Sequence, residues 1–183
     1  MAKRRGQLLL GVVLAFSLFV GASIAVASDR KKGDDADLKA NLNGPTEIPF
    51  NSSRGTGRLT AKLTDTQITF KLTYQNLTGN PLFAHIHIGQ KFANGGVSVF
   101  FCGGGGKPPC PAATSGTVEG TIVAADVLGP TAQNTQPGDF ASLQRAIRLG
   151  QTYANIHTPN SPAGEIRGQI KGGKGGGKDD DDD

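Results

Sequence analysis

All three histidines of this chain fall in two short segments, Ala84-His85-Ile86-His87-Ile88-Gly89 and Tyr153-Ala154-Asn155-Ile156-His157-Thr158. In an extended strand alternate side chains share a face, so His85 and His87 point one way, Ile86 and Ile88 the other, and His157 points away from Ile156. If the two strands are neighbours, three imidazoles converge on one patch. Three neutral imidazoles with a fourth position open to water suit copper or zinc. The competing reading gives His85, His87 and His157 a bracing role, because a neutral ring donates from one nitrogen, accepts at the other, and can tie loops to a barrel rim. Glu165 and Arg167 share a face of Gly164-Glu165-Ile166-Arg167-Gly168, opposite Ile166. A carboxylate there could serve as base toward a metal-bound water or orient a ligand imidazole. It could equally pair with Arg167 or a neighbouring strand. No catalytic residue is assigned, since the serines lack a nucleophile-elbow glycine pattern.

The segments that must position these residues read as strands. Leu59, Ala61 and Leu63 alternate with polar residues, as do Ile68, Phe70, Leu72 and Tyr74. The same spacing recurs at Ile86 and Ile88, Val97 and Val99, Val118, Thr121 and Val123, Ala154 and Ile156, and Ile166 and Ile170. Glycine, asparagine and proline punctuate these runs at short intervals, the pattern of an antiparallel sandwich or barrel. One stretch, 139–150, places Phe140, Leu143, Ile147 and Leu149 near helical spacing and ends on Gly150, which predicts a single short helix. Glu47, between Pro45 and Pro49, is expected to end or cap the first strand.

Lys3-Arg4-Arg5, an apolar run from Leu8 to Val26, and small residues at Ala25 and Ala27 read as a signal peptide over residues 1–27. The rival is an uncleaved membrane anchor, since the run approaches the roughly 20 residues that span a bilayer. Either way the globular part is expected outside the cytoplasm, periplasmic or secreted. The chain has 19 basic and 15 acidic residues, and loss of Lys3, Arg4 and Arg5 leaves 16 basic ones. The processed chain is nearly neutral, which excludes an electrostatic case for nucleic acid or for anionic lipid. A charged linker (28–37) and a Gly/Lys tail ending in five aspartates (172–183) flank one domain at 38–171.

Cys102 and Cys110 flank Gly103-Gly104-Gly105-Gly106-Lys107-Pro108-Pro109. A pair this close in an exported chain is expected to form one disulfide. The glycine run is not a phosphate-binding loop, because Lys107 is followed by Pro108 rather than Ser or Thr.

Leu42-Asn43-Gly44-Pro45-Thr46-Glu47-Ile48-Pro49, Ala84-His85-Ile86-His87, the Tyr153–Thr158 segment and Gly164-Glu165-Ile166-Arg167-Gly168-Gln169-Ile170 together resemble the CHRD domain, the module first named in chordin. The resemblance spans the whole globular part. It implies an immunoglobulin-like, antiparallel Greek-key β-barrel distantly similar to copper/zinc superoxide dismutase. By that likeness His85 and His87 match the His-x-His of the copper site, His157 matches a late histidine ligand, and Arg167 stands loosely where an arginine guides the anion. No histidine is left to bridge to or hold a zinc, so a dinuclear centre is excluded by counting. The expectation is a non-enzymatic extracytoplasmic module that binds a protein, glycan or cell-envelope component through its loops, with the membrane involved only through an uncleaved leader. The alternative is a mononuclear copper or zinc protein with His85, His87 and His157 as ligands and redox or hydrolytic activity.

Overall fold

The computed structural model describes residues 35–172; the leader, most of the linker and the acidic tail lie outside them. Eight strands form one antiparallel sheet in the order β5-β4-β7-β8-β1-β2-β3-β6. They are β1 (Ala36–Asn43), β2 (Thr56–Leu63), β3 (Gln67–Gln75), β4 (Phe83–Ile88), β5 (Gly96–Cys102), β6 (Gly116–Val123), β7 (Thr152–Thr158) and β8 (Ser161–Gln169). One helix, α1 (Phe140–Arg148), joins β6 to β7. The connections β3–β4, β5–β6 and β6–α1–β7 each cross between the halves β1-β2-β3-β6 and β5-β4-β7-β8, the winding of a Greek key. The expected all-β architecture with a single short helix is the one observed.

Alternation drives this arrangement. Ala36, Leu38, Ala40 and Leu42 of β1, and Ile68, Phe70, Leu72 and Tyr74 of β3, turn inward onto Ile86, Phe101, Ile122, Ile156 and Ile166. Each fully buried Leu or Ile contributes roughly 1.5–3 kcal/mol. The halves meet where β1 touches β8, at Asn43 opposite Arg167 and at the Lys39–Lys171 bridge. Between these contacts the backbones are so close that a Cβ on Gly168 would stand 2.2 Å from the Asn41 carbonyl oxygen, so only glycine fits. On the far side, chain leaving β6 lies along β5, with Leu128 N–H donating to the Ser98 carbonyl at 2.9 Å. Lys107 reaches from the β5–β6 loop to the Thr121 carbonyl at 2.9 Å and to Asp126 at 2.8 Å, which draws the sheet toward a closed barrel.

Two expectations of detail are corrected. In β6 the inward residues are Val118, Gly120 and Ile122, whereas Thr121 and Val123 face solvent. Strict alternation through Gly120 sets that register, and the empty glycine position hid it. In α1, Phe140, Leu143 and Ile147 are buried but Leu149 lies past the last turn and is 56% exposed. The helix starts on Asp139, whose side chain accepts from Ser142 N–H at 2.9 Å. The Cys102–Cys110 disulfide is formed, and it pins the glycine loop beside the end of β5. Among the described residues no helix is long and apolar enough to cross a membrane.

Candidate metal centre

Strands β4 and β7 are neighbours, in the register Phe83 opposite His157, His85 opposite Asn155 and His87 opposite Tyr153. Because Ile86, Ala154 and Ile156 are drawn into the core, the alternate residues His85, His87, Tyr153, Asn155 and His157 share the other face. The three imidazoles therefore meet: ring centroids are 4.7 Å apart for His85–His87, 4.6 Å for His85–His157 and 6.3 Å for His87–His157. One potential ligand nitrogen from each ring lies within 4.8 Å of the other two. Metal–nitrogen bonds of about 2.0–2.1 Å would bring three such atoms to roughly 3.3–3.6 Å of one another, so the rings would draw together on binding.

This face is not the open barrel surface that strand periodicity alone suggests. His85 and His87 are only 5% and 8% exposed, and His157 is partly buried. The β4–β5 loop folds over them, with the Gly95 carbonyl 2.8 Å from His87 Nδ1. The β7–β8 hairpin does the same for His157, whose Nδ1 lies 2.9 Å from the Pro162 carbonyl. A carbonyl only accepts, so each of these Nδ1 atoms carries the proton and each Nε2 keeps its lone pair. His87 Nε2, His157 Nε2 and His85 Nδ1 are buried without a hydrogen-bond partner. Unpartnered buried nitrogens are costly, and three together form a donor set that fits a single metal ion.

The electrostatics keep the rings neutral. Burial pushes His85 down to about 2, and repulsion from His87 and His157 adds to the effect. Burial lowers His87 to about 4; the Gly95 carbonyl opposes this, the charges of His157 and Arg167 reinforce it, and the Asn155 side chain opposes it in turn. His157 is also lowered by burial, against the pull of the Pro162 carbonyl. Neutral imidazole is the form that ligates, so the centre needs no deprotonation at neutral pH.

Sequence periodicity pointed to Glu165 and Arg167 as well, and the fold uses both beside the histidines rather than among them. Glu165 is fully buried and accepts from Ser53 Oγ (2.7 Å), Thr78 N–H (2.7 Å), Thr78 Oγ1 (2.8 Å) and Thr158 Oγ1 (2.6 Å). Burial raises its pKa, but these donors outweigh it and hold the carboxyl below the usual range. It ties the β3–β4 and β1–β2 connections to the end of β7. Arg167, 2% exposed, donates to the Gln90 carbonyl (3.2 Å), the Ala93 carbonyl (2.6 Å) and Asn94 Oδ1 (3.1 Å), so it anchors the loop that carries Gly95. Its guanidinium also sits 3.4 Å from the centroid of Tyr153, whose ring lies parallel to His87 at 4.6 Å.

Tyr153, Asn155 and Glu47 complete the surroundings and were not singled out as site residues from the sequence. Tyr153 and Asn155 alternate with His157 on β7, so the strand period that marked the histidine marks them too. The Tyr153 hydroxyl accepts from Gly95 N–H at 3.2 Å. Glu47 does close a turn after β1, its N–H donating to the Gly44 carbonyl at 2.9 Å, but its carboxyl is buried and accepts from Asn155 Nδ2. Burial pushes it up to about 7, against the Ile48 backbone bond, the Arg167 charge and the Asn155 bond. Gly95 is required for this packing, since a Cβ there would stand 1.7 Å from the Ile88 carbonyl oxygen.

Fold and site together define a class: an antiparallel Greek-key barrel carrying a three-imidazole cluster roofed by two of its loops. The CHRD domain family matches residues 38–170, and the chain belongs to that family. No curated protein and no solved structure matches it.

Proposed function

We propose that this CHRD-domain protein binds one transition-metal ion, copper or zinc, through His85 Nδ1, His87 Nε2 and His157 Nε2, and does so outside the cytoplasm. The observation that carries the reading is the convergence of three imidazoles that each offer a ligand nitrogen within 4.8 Å of the other two and each bury a nitrogen without a hydrogen-bond partner. The backbone carbonyls of Gly95 and Pro162 support it by fixing the tautomers of His87 and His157, the usual outer partners of ligating histidines. The disulfide favours an oxidising compartment. A binding role is favoured over catalysis because the Glu165 carboxylate is held by four hydrogen bonds and is not poised as a base toward the cluster.

Calorimetric titration of the metal-free protein with copper and zinc tests this. One equivalent should bind to the wild type, and His85→Ala, His87→Ala and His157→Ala should each abolish tight binding. A folded wild type that binds neither ion contradicts the reading. A second reading, recognition of a protein, glycan or envelope component, is favoured by Phe50 and Phe92, which are 70% and 77% exposed on loops joined by the Asn94 Nδ2 to Ile48 carbonyl bond. Loss of partner capture in Phe50→Ser/Phe92→Ser with metal binding intact would support that role beside the first.

A further inference from the structure

We infer that the three-histidine centre is built to hold copper in its univalent state, an inference that rests on the metal-binding reading and adds the oxidation state to it. Every converging donor is a neutral imidazole nitrogen, and no carboxylate is among them. Glu47 is turned to Asn155, and Glu165 to Ser53, Thr78 and Thr158. The charge stacked on the cluster is the Arg167 guanidinium, which lies on the Tyr153 ring, itself parallel to the ligand His87; the Glu47 carboxyl interacts with that guanidinium and offsets it in part when ionised.

The cost of burying an ion rises with the square of its charge unless anionic ligands neutralise it. A divalent ion on these donors keeps both of its charges in a largely buried pocket and is repelled by Arg167; a univalent ion keeps one and is repelled half as strongly. Among the metals that imidazole binds well, copper is the one with a stable univalent state. The walls agree with this choice. His85 packs edge-on against Phe100 at 4.8 Å and is stacked on Phe83 at 6.5 Å. Those rings offer no acceptor to the water or hydroxide that completes an open zinc centre.

The test compares oxidation states on the purified, metal-free chain with its disulfide intact. Copper(I), supplied anaerobically as its acetonitrile complex, is titrated in competition with bicinchoninate. Copper(II) and zinc(II) are titrated against chelators of known affinity. One equivalent of copper(I) should bind at least about a hundredfold more tightly than copper(II) and resist displacement by equimolar zinc. Arg167→Met should narrow that ratio by about tenfold, while Arg167→Lys, which keeps the charge, should largely retain it. If neither variant folds, the wild-type ratio decides alone. Copper(II) or zinc binding as tightly as copper(I) overturns the univalent assignment and leaves the metal-binding reading standing. A folded wild type that binds none of the three ions overturns both.

Discussion

Glu47→Gln should make the metal-free protein more stable at pH 8 and leave it nearly unchanged at pH 4.5. Burial raises the Glu47 carboxyl from 4.5 to about 7, so the folded state takes up a proton that the unfolded chain releases. A raised carboxyl means stability that is present below pH 4.5 and lost as pH climbs through about 7. At about 1.4 kcal/mol per pH unit the difference amounts to roughly 3 kcal/mol, and residual solvent access reduces this to about 2–3 kcal/mol. Glutamine keeps an oxygen to accept from Asn155 Nδ2 and has no charge to bury. The assay is urea unfolding of both proteins between pH 4.5 and 8, with the disulfide intact. The histidines of the unfolded chain also titrate in this range but are common to both proteins, so the difference between the two curves isolates Glu47. That difference should grow from near zero to about 2–3 kcal/mol in favour of the variant. A difference that is constant across the range, or a variant less stable at pH 8, would refute the reasoning.

Three further outcomes follow from the same structure. The histidine pKa values are depressed, to about 2 for His85 and about 4 for His87, so folded-state stability of the Glu47→Gln variant should be full above about pH 6.5 and fall as acid protonates the unfolded chain first, as read by thermal melts across pH 4–7.5. For the same reason bound metal should be retained into acid below the ordinary imidazole range, and release centred near pH 6.5 in a dialysis series would count against buried neutral ligands. Cys102→Ser/Cys110→Ser should lose on the order of 2–3 kcal/mol in urea unfolding, because the bridge closes a short loop in the unfolded chain.

How far the site could be read in advance depended on whether the physics was local. Strand alternation placed His85 with His87 and set His157 apart from Ile156, and the structure keeps those faces. What alternation could not supply was the β4–β7 register, since pairing of strands so far apart along the chain is settled by the whole core rather than by either segment. Nor could it show the roof. His85 and His87 look solvent-facing on their strand, and they become buried because Arg167 gathers the Gln90, Ala93 and Asn94 groups into a loop that lies over them. Glu47 illustrates the same limit: its turn-closing N–H bond is local and was foreseeable, whereas its buried carboxyl depends on Asn155, which is brought to it only by the fold. The glycine in β6 erased the side chain that would have marked the inward face, so Thr121 and Val123 were read in place of Gly120 and Ile122.

The most direct test of the metal centre is a long-range proton–nitrogen correlation spectrum of the imidazoles, recorded before and after one equivalent of diamagnetic copper(I) or zinc. Without metal, His87 and His157 should show the tautomer protonated at Nδ1. On addition, His85 Nδ1, His87 Nε2 and His157 Nε2 should shift together and saturate at one equivalent. Unchanged nitrogen shifts in a folded protein, or shifts confined to one exposed ring, would contradict the account.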